Sequence, residues 1–223
     1  DGFPSAVQAQ FAALREAMRA EGAELVEPVE LPGAGELGAA EMTVLQYEFK
    51  DGLNAYLAGL PPGMPVRSLG ALIGFNERNR DRELPWFGQE LLVESEARGP
   101  LTDAAYRQAR ATCLRLARTE GLDAALDGHR LDALVAVTAG PAHATDLLHG
   151  DREVGWSHLP AAVAGYPSLT VPGGQVRGLP FGITFAGRAW SEPKLIRLAH
   201  AFEQATRQRR RPSFAPTLRP GAA

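Results

Sequence analysis

Cysteine is nearly absent from this 223-residue chain: Cys113 stands alone. That excludes an intrachain disulfide and leaves no redox pair. Lysine is almost as scarce, with Lys50 and Lys194 the only two, so lysine chemistry has two possible seats. No run approaches the ~18 apolar residues of a membrane span, and no basic-then-apolar leader opens the chain. The net charge of −3 gives no general pull toward nucleic acid or anionic membrane. The expectation is therefore a cytoplasmic protein with no nucleic-acid or membrane partner. Also missing are a G-x-S-x-G elbow and an H-x-x-x-H helix, which would mark two common hydrolytic designs.

What is present suits a globular α/β protein, with 45% hydrophobic and 22% charged residues and length for one sizeable core or two small ones. Residues 1–130 are expected to be mostly helical. Val7, Phe11, Leu14 and Met18 fall at helical spacing after Pro4. Ala23–Leu31 is expected as a short strand broken by Pro28, and Pro32–Gly38 as a loop. Helices are predicted over Ala39–Ala58, over Leu69–Asn79 with Ser68 as N-cap, over Phe87–Ala97, and from Thr102 to about Thr119. Cys113 lies in that last amphipathic pattern as a small buried side chain. Beyond Arg130 come short apolar runs punctuated by Gly and Pro, read as strands at Ala133–Val137, Ser168–Val171 and Phe181–Phe185. A short helix is expected at Pro160–Ala164 and a closing one from Ser191 to about Arg209. Helices followed by strands and a closing helix predict one mixed β-sheet flanked by helices.

Candidate chemistry concentrates in the Gly-Pro segments. Val171-Pro-Gly-Gly174 is taken as a turn after a strand, and Thr138–Asp151 as a loop after a buried strand, where α/β proteins place ligands. Trp156 and Tyr166 could wall an organic substrate. Thr145 and Asp146 could position a polar group, Asp146 being equally suited to holding a turn. Ser157 lies beside His149, His158, Asp146 and Asp151, yet proximity in sequence does not make a triad. The five histidines show no metal spacing, so no metal is expected. Gly33-Ala-Gly-Glu-Leu-Gly38 matches G-x-G-x-x-G, but the strand before it alternates with Glu and no acidic residue ends a second strand. No cofactor is expected. Arg207, Arg209, Arg210 and Arg211 suit a solvated helix end.

Four stretches carry a family resemblance: Leu131–Ala142, Pro160–Pro172, Gly178–Arg188 and Glu192–Thr206, with Tyr47–Tyr56 and Ala13–Val29 in support. They resemble the C-terminal half of the amidase signature enzymes, and most of all general and peptide amidases. Val137 stands where that family usually has Pro, and Gly155 where the amidotransferase A subunits have Asp. The resemblance implies hydrolysis of carboxamides, with a Ser nucleophile activated through a second Ser by a neutral Lys. It also implies that this triad lies upstream, so that no catalytic residue falls in this chain. Thr145, Asp146, Trp156, Ser157 and Tyr166 are then substrate-pocket candidates. The implied partners are a small-molecule amide and the missing N-terminal half of the same protein. The exposed edge of a half-domain sheet would also suit a homodimer. The alternatives are a non-catalytic binding or regulatory module, or an amidotransferase A-subunit-like protein.

Overall fold

The computed structural model describes residues 2–150, 155–212 and 214. The described residues divide into two compact units: one formed by residues up to 32 together with those from 117 onward, the other by Gly33–Leu116.

The first unit holds α1 (Ser5–Ala20), a short α7 (Asp123–Gly128), β1 (Leu134–Val137), α8 (Leu159–Ala164), β2 (Ser168–Val176), β3 (Leu179–Ala186) and α9 (Glu192–Thr206). The strands run in the order β1-β3-β2, and both described pairings are antiparallel. The two neighbours of Ile183 are Val137 and Val171, and those of Phe185 are Val135 and Leu169. Alternation puts this apolar set on one face. It forms a single core with Val7, Leu14 and Met18 of α1 and Leu195, Ala199 and Phe202 of α9. Each helix contributes residues three, four or seven apart, which is one helical face. Phe185 and Phe202 meet edge-on, with ring centroids 5.7 Å apart. Burying Ile183 or Leu195 completely contributes roughly 1.5–3 kcal/mol each. The hairpin between β2 and β3 turns at Arg177 and Gly178, both with positive φ (52° and 79°), the geometry whose twist matches a two-residue hairpin.

The second unit is built around α2 (Ala34–Ala58), packed by α3 (Leu69–Arg78), α5 (Glu90–Glu96) and α6 (Ala104–Leu114), with a single turn α4 (Arg80–Glu83) between. Gln46 is buried on α2. It donates to Glu94 Oε2 at 2.6 Å and accepts from Arg98 Nε at 2.9 Å. Lys50 Nζ donates to the carbonyls of Glu96 and Arg98, both at 2.6 Å, satisfying acceptors that the end of α5 leaves open.

Several expectations change. Ala23–Leu31 is not a strand among the described residues, because no neighbour offers it a ladder. Arg15 and Arg19 of α1 hold Glu27 instead. Residues 34–38 are helical rather than looped: Gly33 enters with φ 76°, Leu37 N–H donates to Gly33 O at 2.9 Å, and the Leu37 side chain is buried. Core burial there outweighs the cost of the glycines. Val171–Gly174 is no turn but part of β2, where a bulge between Pro172 and Gly174 absorbs the irregular residues. The Phe87–Ala97 helix shortens to α5. The helix expected to reach Thr119 stops at Leu114, continues as a wider helical turn over Arg115–Leu122 broken at Gly121, and leads into α7, which the sequence pattern missed. Ser68 does cap α3, its hydroxyl accepting from Ala71 N–H at 3.1 Å.

Candidate functional site

Behind the apolar face of the sheet lies a face of small and hydroxylated side chains. Thr184 pairs in register with Ala136 on one side and Thr170 on the other. One residue past β1, Thr138 N–H donates to Gly182 O at 2.8 Å. Three hydroxyls converge as a result. Thr138 lies 2.7 Å from Thr184, Thr170 lies 3.1 Å from Thr184, and Thr138 donates to Thr170 at 3.4 Å. Gly182 leaves room for them, since a Cβ there would stand 2.5 Å from Thr170 Cγ2 and 2.8 Å from Thr138 Oγ1. Hydroxyls donate and accept, so such a cluster can orient a polar group. Among the described residues these hydroxyls bond one another, and no base is in place to make one a nucleophile. The cluster escaped the sequence-based reading, although the V-T-A-G, S-L-T-V and G-I-T-F words each carry one of its members.

The loop after β1 is tied at its neck. Ala139 bridges Trp156 in antiparallel fashion, and Ser157 N–H donates to Thr138 O at 3.0 Å. Gly155, at φ 61°, lies against the Phe3 ring, which an added Cβ would meet at 3.1 Å. Asp151 lies outside the described residues.

The five pocket candidates fall into different surroundings. Asp146 Oδ1 accepts the N–H groups of Leu148 and His149, both at 3.0 Å, and Oδ2 sits 3.0 Å from His149 Nδ1. The backbone donors of His149 and then Leu148, with the His149 side chain behind them, hold its carboxyl below the usual range. Its visible work is to fix a turn. Thr145 is exposed in the same loop. Trp156 is exposed, and its ring centroid stands 6.2 Å from that of His158. Ser157 Oγ is buried without a hydrogen-bond partner among the described residues, so no histidine activates it there. Tyr166 is tied by polar partners and half-buried. Its hydroxyl donates to the Asp123 carboxylate at 3.0–3.1 Å, and its ring lies under the Arg118 guanidinium at 5.4 Å. Arg188 completes that knot, reaching Asp123 at 3.3 Å and also pairing with Asp127.

The lysines are both engaged. Lys194 Nζ donates to Asp132 at 2.7 Å and Lys50 to the two carbonyls already described. A cavity of about 330 Å³ opens elsewhere in the first unit, lined by Gln10, Leu14, Gly173, Gly174, Gln175 and Arg210 among others. None of the five candidates lines it. Among the described residues no group of His, Cys, Asp and Glu could hold a metal, and no helix is long and apolar enough to cross a membrane.

No protein-family model matches the chain. Its relatives include amidases over most of the chain and, over shorter stretches of 48–65 residues, glutamyl-tRNA(Gln) amidotransferase A subunits. An Arabidopsis thaliana protein named "Probable amidase" is 35% identical over 203 residues, covering 88% of this chain and 36% of the relative. The crystal structure of a peptide amidase in complex with the competitive inhibitor chymostatin is 52% identical, with a TM-score of 0.87 over 93% of this chain and 42% of that one. A bacterial aryl acylamidase of the amidase signature family, 20% identical, shares the fold at a TM-score of 0.64 over 92% of this chain and 41% of that one. The two most similar of these are amidases by name. The chain belongs to the amidase signature family and matches the C-terminal part of its members. It spans well under half the length of these relatives.

Proposed function

We propose that the whole protein hydrolyses a small-molecule carboxamide to a carboxylate and ammonia or an amine, and that this chain is the part that shapes the substrate pocket. The similarity to a peptide amidase at 52% identity over 93% of the chain carries this reading. The catalytic groups would come from a preceding part of the same protein, making the chain one portion of a larger amidase domain. Two observations support that division. There is no Ser-Ser pair in the chain, and both lysines spend their ammonium groups on structural acceptors. A neutral lysine base needs burial away from such partners. Within the pocket-shaping part, the Thr138–Thr170–Thr184 hydroxyls, Ser157, Trp156, Thr145, Asp146 and Tyr166 are our candidates for substrate contact.

The test compares this polypeptide with a version extended upstream on simple carboxamides and peptide amides. Turnover by the extended form and none by the short form is the expected result. Turnover by the short form, lost on Ser157→Ala, would overturn the division.

A further inference from the structure

α2 has two faces. Toward α3, α5 and α6 it buries Gln46, Tyr47 and Leu57. On the opposite side, positions 38, 42, 45, 49, 52 and 56 recur at intervals of three and four, which stack on one helical stripe. They read Gly38, Met42, Leu45, Phe49, Gly52 and Tyr56, with no charged side chain among them. The large ones stand 44%, 49%, 41% and 65% exposed. Above Gly38 and Gly52 a Cβ would meet nothing within 4 Å. A helix that is apolar on both sides is designed for burial on both, and a stripe of this length left to water marks an interaction site. The glycines at positions 38 and 52 let another backbone approach closely there.

From this we propose that the stripe is the docking face for the part of the protein that this chain does not span. The inference rests on the amidase reading above and adds the surface to it. The occupant follows from length: relatives that match over about nine-tenths of this chain are more than twice as long, so a polypeptide larger than this one has to be accommodated. An uncharged stripe with Gly38 and Gly52 inside it, and with Glu41 and Glu48 only along one edge, fits the interior of a domain better than a transient contact, which is more polar. Burying those four side chains against a permanent neighbour would also remove an aggregation hazard.

The probe is the portion of the peptide amidase lying outside its match to this chain, co-expressed with this chain as a separate polypeptide. Expected results are a 1:1 complex by light scattering and slowed hydrogen exchange over residues 38–56. Leu45→Glu and Phe49→Glu, which change exposed positions and so leave the circular dichroism and urea midpoint of the free chain intact, should weaken the complex at least tenfold. A complex that forms equally well with both variants overturns the docking face and leaves the amidase reading standing. A complex kept intact with only KM raised for peptide amides moves the stripe to the substrate path and also overturns docking. Failure to form any complex, or self-association of this chain through the stripe, overturns the docking face, while the amidase reading stands or falls separately on turnover by the upstream-extended form.

Discussion

Tyr166 illustrates how a candidate pocket side chain can also be tied into the scaffold. An aromatic next to a Gly-Pro loop is a reasonable substrate wall, yet the nearest carboxylate and guanidinium claim both its hydroxyl and its ring. The same happens to Tyr47, whose hydroxyl donates to Asp103 at 3.2 Å, and to Tyr106, which donates to Glu48 at 2.7 Å. All three phenols are raised above their usual value of about 10. Burial is the larger cause for Tyr47 and Tyr166, and the bond to Glu48 for Tyr106. A raised acid favours its protonated form in the folded state, so folding binds more protons than unfolding above about pH 10. The stabilisation is fully present below that pH and is lost as pH climbs through the folded values. Urea midpoints should therefore fall between pH 9 and 11, and a Tyr47→Phe, Tyr106→Phe, Tyr166→Phe variant should show a shallower fall. An unchanged slope in that variant would sink this account. Asp146 was legible from sequence as a turn-former, because Asx turns depend on neighbours two and three residues away. The Tyr166–Asp123 bond, 43 residues apart, was not.

At the level of elements, period and punctuation identified every strand of the described sheet and most helices. They failed where a rule of local chemistry was overridden. Glycines at 33, 35 and 38 suggest a loop, but the burial of Leu37 draws the segment into α2. Pro172, Gly173 and Gly174 suggest a turn, but pairing with β3 carries the strand through them. Gly182 is the element-scale position on which the threonine cluster depends. Gly182→Ala should cost about 1–3 kcal/mol through forced displacement of Thr170 and Thr138, lowering Tm by several degrees. Gly52→Ala, in the open middle of α2, should instead raise stability by about 0.5–1 kcal/mol. Calorimetry on both variants checks the pair. Equal effects would mean that the Cβ space at Gly182 is not the deciding quantity.

For the molecule as a whole, Cys113 is a built-in reporter. It is 4% exposed on α6, and burial first, with the negative charges of Glu41 and Glu48 behind it, pushes its thiol upward. Labelling by an aromatic disulfide at pH 8 should run at least about tenfold slower than for a free thiol, and should accelerate with urea as the second unit opens. Labelling at the free-thiol rate in buffer would contradict the packing of α6. The family relationship was legible because three Gly-Pro words and a closing helix recur in a fixed order. Their physical roles are a bulge, a hairpin and a tied loop neck, none of which a word list describes.

The amino-acid sequence alone determined the family, the strands, the capping serine and the want of any disulfide, since each depends on residue type and spacing along the chain. Only the tertiary structure decided which hydroxyls share a site, where the two lysines spend their charge and which face of α2 is left open. Those depend on distances between residues tens of positions apart, and sequence spacing carries no record of such distances.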